Sequence, residues 1–289
     1  MEHILVTGGN GLLAHAFRKY GPCGFEFSFL SHAEFDLARK DVMAQRLAEL
    51  QPLIVINTAA YNLVDRCETE REHSWLINAV APQQLAEMCA EKNIRLVHYG
   101  TDYVFDGAKE APYIETDAPN PLNHYAAGKF FGEQAVLRAS PDNLVLRTSW
   151  VFDWHPAQAK TFVHTVLKAA SQGRELKSTT DQISVPTFAA DLAGWTLELI
   201  RAGAGGLFHA VNDGGVSRFD WTEIILEEAV SAELISAAPP VGPVLSSFFN
   251  STMRRPEYTV LDNDKLTKCL GRPLGPWRLG LKKMLAQMK

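Results

Sequence analysis

Short apolar, β-branched runs alternate through the first half of the chain with longer segments of helical hydrophobic spacing. The runs at residues 4–7, 26–30, 53–57, 96–99 and 144–148 have the length and near-continuous apolar character of strands buried on both faces. Between them, residues 43–50, 75–91 and 125–138 carry apolar side chains at helical spacing, with Pro52 and Asn93 as breakers. Strands alternating with helices predict an α/β fold, a doubly wound parallel sheet covered by helices on both faces. After Trp150 the alternation weakens, and residues 237–243 and 271–276 are rich in Pro, Gly and Ala. A smaller, more irregular C-terminal lobe is expected there. It retains helices at 188–201 and 220–231, with Ser217 and Asp220 as a capping pair.

Length and charge narrow the classes of partner. A chain of 289 residues buries enough surface to need no metal or disulfide staple. The formal net charge is -5, and Lys and Arg are scattered rather than clustered. That argues against nucleic acid and anionic membrane and makes a small molecule the default partner. Cys23, Cys67, Cys89 and Cys269 show no Cys-x-x-Cys spacing and no companion histidine at metal-ligand distance, so reduced, mostly buried thiols are expected. The first apolar run, Ile4-Leu5-Val6, lacks the basic region and long apolar core of a signal peptide. No segment approaches the ~20 apolar residues that cross a bilayer. A cytoplasmic location is expected.

The first run leads directly into Thr7-Gly8-Gly9-Asn10-Gly11-Leu12-Leu13-Ala14. Any tight strand-to-helix turn favours glycine, but this one sits where a dinucleotide pyrophosphate binds in a Rossmann-type sheet. Gly8 permits the turn, Gly11 lets the backbone approach a phosphate, and Ala14 lets helix and strand pack closely. The helix N-terminus beginning at Leu12 and Leu13 offers free N–H groups to the anion. An acid at the end of the second strand would clasp the ribose of NAD. This chain has Ser31 and His32 there, with Asp36 and Leu37 beyond, which leaves NADPH and NADH both open as the cofactor.

Tyr125 and Lys129 lie four apart on a predicted helix and share one face; theirs is the only Tyr-x-x-x-Lys in the sequence. A neighbouring ammonium favours the phenolate and brings a tyrosine closer to working range for proton transfer. The same lysine can hold the nicotinamide ribose. Thr101 follows the fourth strand, where ligands sit in such sheets. It can donate to a carbonyl oxygen while Tyr125 protonates it, or simply cap its own backbone.

Together these elements resemble the extended short-chain dehydrogenase/reductase superfamily, and more narrowly the dTDP-4-dehydrorhamnose reductase family. The likeness runs through Asn57-Thr58-Ala59-Ala60-Tyr61 with Val64-Asp65, Thr101 to Gly107, and Pro121-Leu122-Asn123 with Tyr125, Lys129 and Gly132-Glu133. It continues through Arg147-Thr148-Ser149-Trp150-Val151, Asp181-Gln182 with Pro186-Thr187, Arg255-Pro256 and Pro276-Trp277. The resemblance implies reduction of the 4-keto group of a nucleotide-linked 6-deoxy sugar, most simply dTDP-4-dehydro-L-rhamnose. Another nucleotide sugar, epimerisation, or a non-catalytic dinucleotide-binding subunit are its alternatives. It implies Thr101, Tyr125 and Lys129 as the catalytic set, with Ala59, Ala60, Tyr61 and Asn78 beside the cofactor. Asp102, Tyr103 and Trp150 would line the substrate pocket, with Arg255 as a ligand for the diphosphate. It also implies a division into an NAD(P)-binding Rossmann domain at 1–152, rejoined by parts of 176–205, and a smaller substrate-binding domain at 153–289.

The chain departs from the family pattern at several points. Gly100 stands where serine usually precedes the threonine, and Tyr125-Ala126-Ala127-Gly128-Lys129 replaces Tyr-Gly-x-Ser-Lys. The loop Phe152-Asp153-Trp154-His155-Pro156 lacks the usual glycines, and Lys160-Thr161-Phe162 replaces Asn-Phe. Ala16 stands near the position of a glutamate used by some members for metal-linked dimerisation. No metal is expected, and the chain is read as a monomer or homodimer.

Overall fold

The computed structural model describes residues 1–21, 24–155 and 161–288; Cys23, Pro156 and Lys160 lie outside them. The first half runs β1 (Glu2–Thr7), α1 (Leu12–Tyr20), β2 (Phe25–Phe29), α2 (Lys40–Leu50) and β3 (Ile54–Asn57). It continues with α3 (Arg71–Trp75), α4 (Ala81–Glu91), β4 (Arg95–Thr101), α5 (His124–Ala139) and β5 (Leu144–Thr148). The second half holds β6 (Val151–Phe152), α6 (Phe162–Ser171), β7 (Leu176–Thr179), β8 (Ile183–Ser184), β9 (Thr187–Phe188) and α7 (Ala189–Arg201). Then come β10 (Gly206–His209), β11 (Val216–Ser217), α8 (Arg218–Ser231), β12 (Val241–Val244), α9 (Asp264–Leu270) and α10 (Trp277–Ala286).

Six strands form one parallel sheet in the order β2-β1-β3-β4-β5-β10. The chain moves from β1 outward to β2 and then crosses to β3 on the other side, so the switch point lies beyond the carboxyl ends of β1 and β3. That is where open α/β sheets bind ligands. Side chains alternate across the sheet. Ile4, Val6, Ile56 and Leu146 pack with α1 and α7 on one face, and Leu5, Val55, Leu96 and Val145 pack with α2, α4 and α5 on the other. Burial on both faces is the reason the strands read as continuous apolar runs.

A third apolar cluster joins α6, α8 and α10 to Val104, Phe105 and Tyr113 beyond β4. Ser217 caps α8 as the sequence predicts, its Oγ accepting from the Asp220 amide at 3.0 Å and donating to the Asp220 carboxylate at 2.6 Å. The helix predicted at 75–91 differs. It begins at Arg71 and is interrupted by a π turn at Leu76–Val80. The structure also adds α6, α9 and α10 to the two helices predicted after Trp150. Among the described residues, no helix is long and apolar enough to cross a membrane.

Candidate active site

The glycine turn is tight for reasons of space. Gly8 sits at φ +64°, and a Cβ on it would approach the Ala59 backbone at 3.1 Å. Gly9 received no role from the sequence, yet its amide donates to the Leu30 carbonyl at 2.7 Å. A Cβ there would meet that carbonyl carbon at 2.9 Å. Gly11 is the N-cap of α1, makes no side-chain cap, and is followed by a first turn without acidic residues. Gly11 thus gives the leading amides of α1 no side-chain cap, and they carry the positive end of the helix dipole. These features fit the pyrophosphate of a nicotinamide dinucleotide.

The residues flanking this turn are placed along the same sheet edge. Ser31 lies just past β2, where its amide and hydroxyl both donate to the Glu34 carboxylate at 2.9 and 2.6 Å. His32 is exposed and lies 3.6 Å from the Asp36 carboxylate. Asp36 also accepts from the Ala38 amide, while Leu37 is buried in the core. Leu12 and Leu13 pack against the sheet cluster. After β3, the loop carrying Ala59, Ala60 and Tyr61 is clamped by Asn78 from the π turn. Asn78 Oδ1 accepts from the Tyr61 amide at 3.0 Å and its Nδ2 donates to the Tyr61 carbonyl at 2.9 Å. The Asn78 amide thus holds this loop in place.

Thr101, Tyr125 and Lys129 converge at the carboxyl end of β4. Asn123 caps α5, its Oδ1 accepting from the Ala126 amide at 2.8 Å, so Tyr125 occupies the first turn and Lys129 the second. Thr101 ends β4, opposite Thr148 in register. Its Oγ1 accepts from the Tyr103 amide and donates to Asp102, both at 3.2 Å, so it does cap its own backbone. The Tyr125 phenol lies nearby. Burial pushes the phenol up, and the neighbouring Thr101 hydroxyl acts against it. The sequence predicts the Lys129 ammonium as the group that eases Tyr125. In the structure Lys129 Nζ instead lies 3.3 Å from His98 Nε2, and burial brings its pKa down to about 8.

His98 belongs to a buried polar chain that the sequence does not announce. Thr7 Oγ1 donates to Asn57 Oδ1 at 2.7 Å, and Asn57 Nδ2 lies 3.2 Å from His98 Nδ1. Asp102 is also buried, accepting from Ser184 at 2.9 Å and Thr259 at 2.5 Å. Burial raises its pKa to about 6 against the pull of these hydrogen bonds.

Above this set, Tyr103 meets Tyr125 edge-on at 6.4 Å between ring centroids. Trp150 stacks on Trp221 at 5.2 Å and holds φ +41°, a left-handed backbone rarely adopted by a bulky side chain. Arg218, on the first turn of α8, lies over the Trp150 ring at 3.6 Å. Arg255 donates to both Asp65 oxygens at 2.7 and 2.8 Å and to Ser251 at 2.8 Å. A cavity of about 1020 Å³ borders Arg218, Arg255, Lys177, Phe162 and Phe249. Gly100, in place of the usual serine, has a physical reason. It lies against the buried bidentate pair of Arg147 and Glu133, whose bonds are 2.9 and 2.6 Å.

Comparison with known proteins adds to this geometry. The family model of the RmlD substrate binding domain matches residues 1–289. A protein from Escherichia coli (strain K12) named dTDP-4-dehydrorhamnose reductase is 32% identical, over 99% of this chain and 98% of its own length. One of the same name from Mycobacterium tuberculosis is 36% identical, over 99% and 93%. Among solved structures, dTDP-4-dehydrorhamnose reductase from Bacillus anthracis in complex with NADP superposes with a TM-score of 0.91 at 28% identity, covering 99% of each chain. UDP-glucose 4-epimerase from Thermus thermophilus, in complex with NAD, shares the fold at a TM-score of 0.80 and 20% identity, over 98% and 97% of the two chains.

Proposed function

This chain belongs to the dTDP-4-dehydrorhamnose reductase family, that of the RmlD substrate binding domain, and from that premise we propose that it reduces the 4-keto group of a nucleotide-linked 6-deoxy sugar with NADPH or NADH. The substrate in this reading is dTDP-4-dehydro-L-rhamnose and the product dTDP-L-rhamnose. The observation that carries it is the convergence of Thr101, Tyr125 and Lys129 at the end of β4, on the same edge of the sheet as the Gly8–Gly11 turn.

When bound, the reduced nicotinamide supplies a hydride for C4 of the sugar. Tyr125 gives its phenolic proton to the C4 oxygen as negative charge gathers there, and Thr101 turns its hydroxyl from Asp102 toward the same oxygen. Lys129 orients the nicotinamide ribose and, once charged there, favours release of the Tyr125 proton. The Gly8–Gly11 turn and the start of α1 take the pyrophosphate, and Ser31, His32 and Asp36 border the adenosine ribose. Ala59, Ala60 and Tyr61, clamped by Asn78, run along the cofactor. Residues 1–152, rejoined by parts of 176–205, form the dinucleotide domain, and 153–289 form the substrate domain, with Tyr103 and Trp150 lining the sugar nucleotide. The protein is a cytoplasmic monomer or homodimer acting on a small molecule.

Initial rates with NADH and NADPH against a panel of nucleotide-linked 4-keto sugars test this reading. Turnover of dTDP-4-dehydro-L-rhamnose above the other sugars is expected. Retained NADPH binding with no turnover of any keto sugar would overturn it.

A further inference from the structure

Among the described residues, four cationic side chains border the large cavity, and they differ in what holds them. Arg255 is already paired, bonded to both oxygens of Asp65 and to Ser251, and lies beside the Tyr103 phenol. Lys177 lies over the Phe248 ring at 4.3 Å, and Arg254 is exposed. Arg218 is different in kind. Its guanidinium lies between aromatic rings, 3.6 Å from the centroid of Trp150 and 4.5 Å from that of Phe162. Among the described residues its side chain makes no hydrogen bond and no ion pair.

A guanidinium carries five donors in a planar fork, and partly buried donors of this kind ordinarily find acceptors. Contact with the Trp150, Phe162 and Trp221 rings confines the guanidinium but satisfies none of its N–H groups. Burial without a carboxylate partner also lowers the Arg218 pKa to about 10, against the pull of Tyr103 and Asp102. An arginine retained here only to fill space would be replaceable by a leucine or methionine at no electrostatic cost. The aromatic walls instead fix the rotamer in advance, so the ordering entropy of a long side chain is not lost when a ligand binds.

We propose that Arg218 is the anion anchor of the substrate pocket, its stacked and otherwise unpaired guanidinium binding the diphosphate of a nucleoside diphosphate sugar. Arg255, tied to Asp65, shapes the wall beside it. The inference rests on the nucleotide-sugar reading above and specifies which residue holds the charged part of that substrate. Arg218 lies on the cavity wall against Trp150, and it shares the neighbourhood of Tyr103 with Arg255. A diphosphate fixed there leaves the attached sugar on the Tyr103 and Tyr125 side.

The test is calorimetric binding of dTDP and of thymidine to the NADPH complex of the wild type, Arg218→Met and Arg218→Lys. Methionine keeps the packing of the stem against Trp150 and Phe162 while removing the charge. Lysine keeps the charge but loses the fork. Loss of one charged hydrogen-bonding partner predicts a weakening of dTDP binding by roughly 10- to 100-fold in Arg218→Met. Thymidine and NADPH affinities should be unchanged in that variant, which also shows that it folds, and Arg218→Lys should fall between the two. Wild-type affinity for dTDP in Arg218→Met would overturn the assignment of Arg218 alone. A wild-type protein that binds NADPH but no dTDP would overturn the nucleotide-sugar reading, and this inference with it.

Discussion

Lys129 Nζ lies 3.3 Å from His98 Nε2 in a region where both side chains are buried, and the surrounding bonds fix which of them donates. The Ala59 amide and the Thr7 hydroxyl both donate to Asn57 Oδ1, at 3.2 and 2.7 Å. The Asn57 amide nitrogen therefore faces His98 Nδ1 and donates to it. Nδ1 must then be the acceptor, and a neutral imidazole carries its proton on Nε2, facing Lys129. A donor in that place favours the free amine over the ammonium. Burial acts in the same direction on Lys129, while the charge of Glu133 opposes it; Glu133 is itself held by Arg147.

This relationship predicts a kinetic signature. Below about 8 the lysine is charged, and above it the amine is neutral, so activity that needs the ammonium should fall on the alkaline side of that value. In His98→Gln an amide oxygen can turn to accept from Lys129, which favours the ammonium. The alkaline limb of the kcat/KM profile should then move upward by about one pH unit, equivalent to about 1.4 kcal/mol between the two protonation states. An unmoved limb in a folded His98→Gln protein would show that His98 does not tune the lysine.

Gly100 yields a prediction of stability. A Cβ on it would sit 2.9 Å from Glu133 Oε2 and 3.0 Å from Arg147 Cγ, and neither partner can move without opening a buried ion pair. Gly100→Ser should lower the free energy of unfolding by about 1–3 kcal/mol, as overpacking does. Denaturant titration measures this, and an unchanged midpoint would mean that the pair yields freely.

Asp153 gives a pH dependence of opposite origin. One oxygen accepts from the Trp154 amide at 2.7 Å while the other, Oδ2, is buried and has no partner among the described residues. Burial raises its pKa to about 6, with the charge of Asp191 acting the same way and the Trp154 amide and Lys19 against it. In the unfolded chain the group ionises near 4, so between these values the folded state binds more protons. The stability it contributes is present below about 4 and is lost as pH rises through about 6. Asp153→Asn should therefore gain stability relative to wild type on going from about pH 4 to about pH 8, by an amount on the order of 1–3 kcal/mol. Unfolding curves at the two pH values that show no change in the difference would contradict this.

The sheet and its glycine turn were readable because both depend on local pattern. Strands buried on two faces appear as unbroken apolar runs, and Gly8 to Ala14 has fixed spacing. Tyr125 and Lys129 were readable for the same reason, being one helical turn apart. The helices α6 and α10 carry a usable signal, with Val163, Val166, Leu167 and Ala170 buried at helical spacing on one and Trp277, Leu281, Met284 and Leu285 on the other. The Pro- and Gly-rich segments near α10 obscured it. His98 and Arg218 were not readable. His98 looks like an interior strand residue until α5 lays Lys129 against it. Arg218 looks like a solvated first-turn cation until Trp150 and Phe162 arrive from distant parts of the chain. The direction of Lys129, toward His98 rather than toward the phenol, is likewise a property of the packed sheet and not of the four-residue spacing.

Whether Tyr125 supplies the proton in a nicotinamide-dependent keto-sugar reduction is decided by a single comparison. It is the steady-state rate of reduced-nicotinamide oxidation with dTDP-4-dehydro-L-rhamnose for wild type and Tyr125→Phe, with NADPH affinity measured for both. Turnover by the wild type is expected, with a fall of roughly 10²- to 10⁴-fold in the variant, the range of a general acid, at unchanged NADPH affinity. A Tyr125→Phe protein that turns over at the wild-type rate would contradict that role of Tyr125.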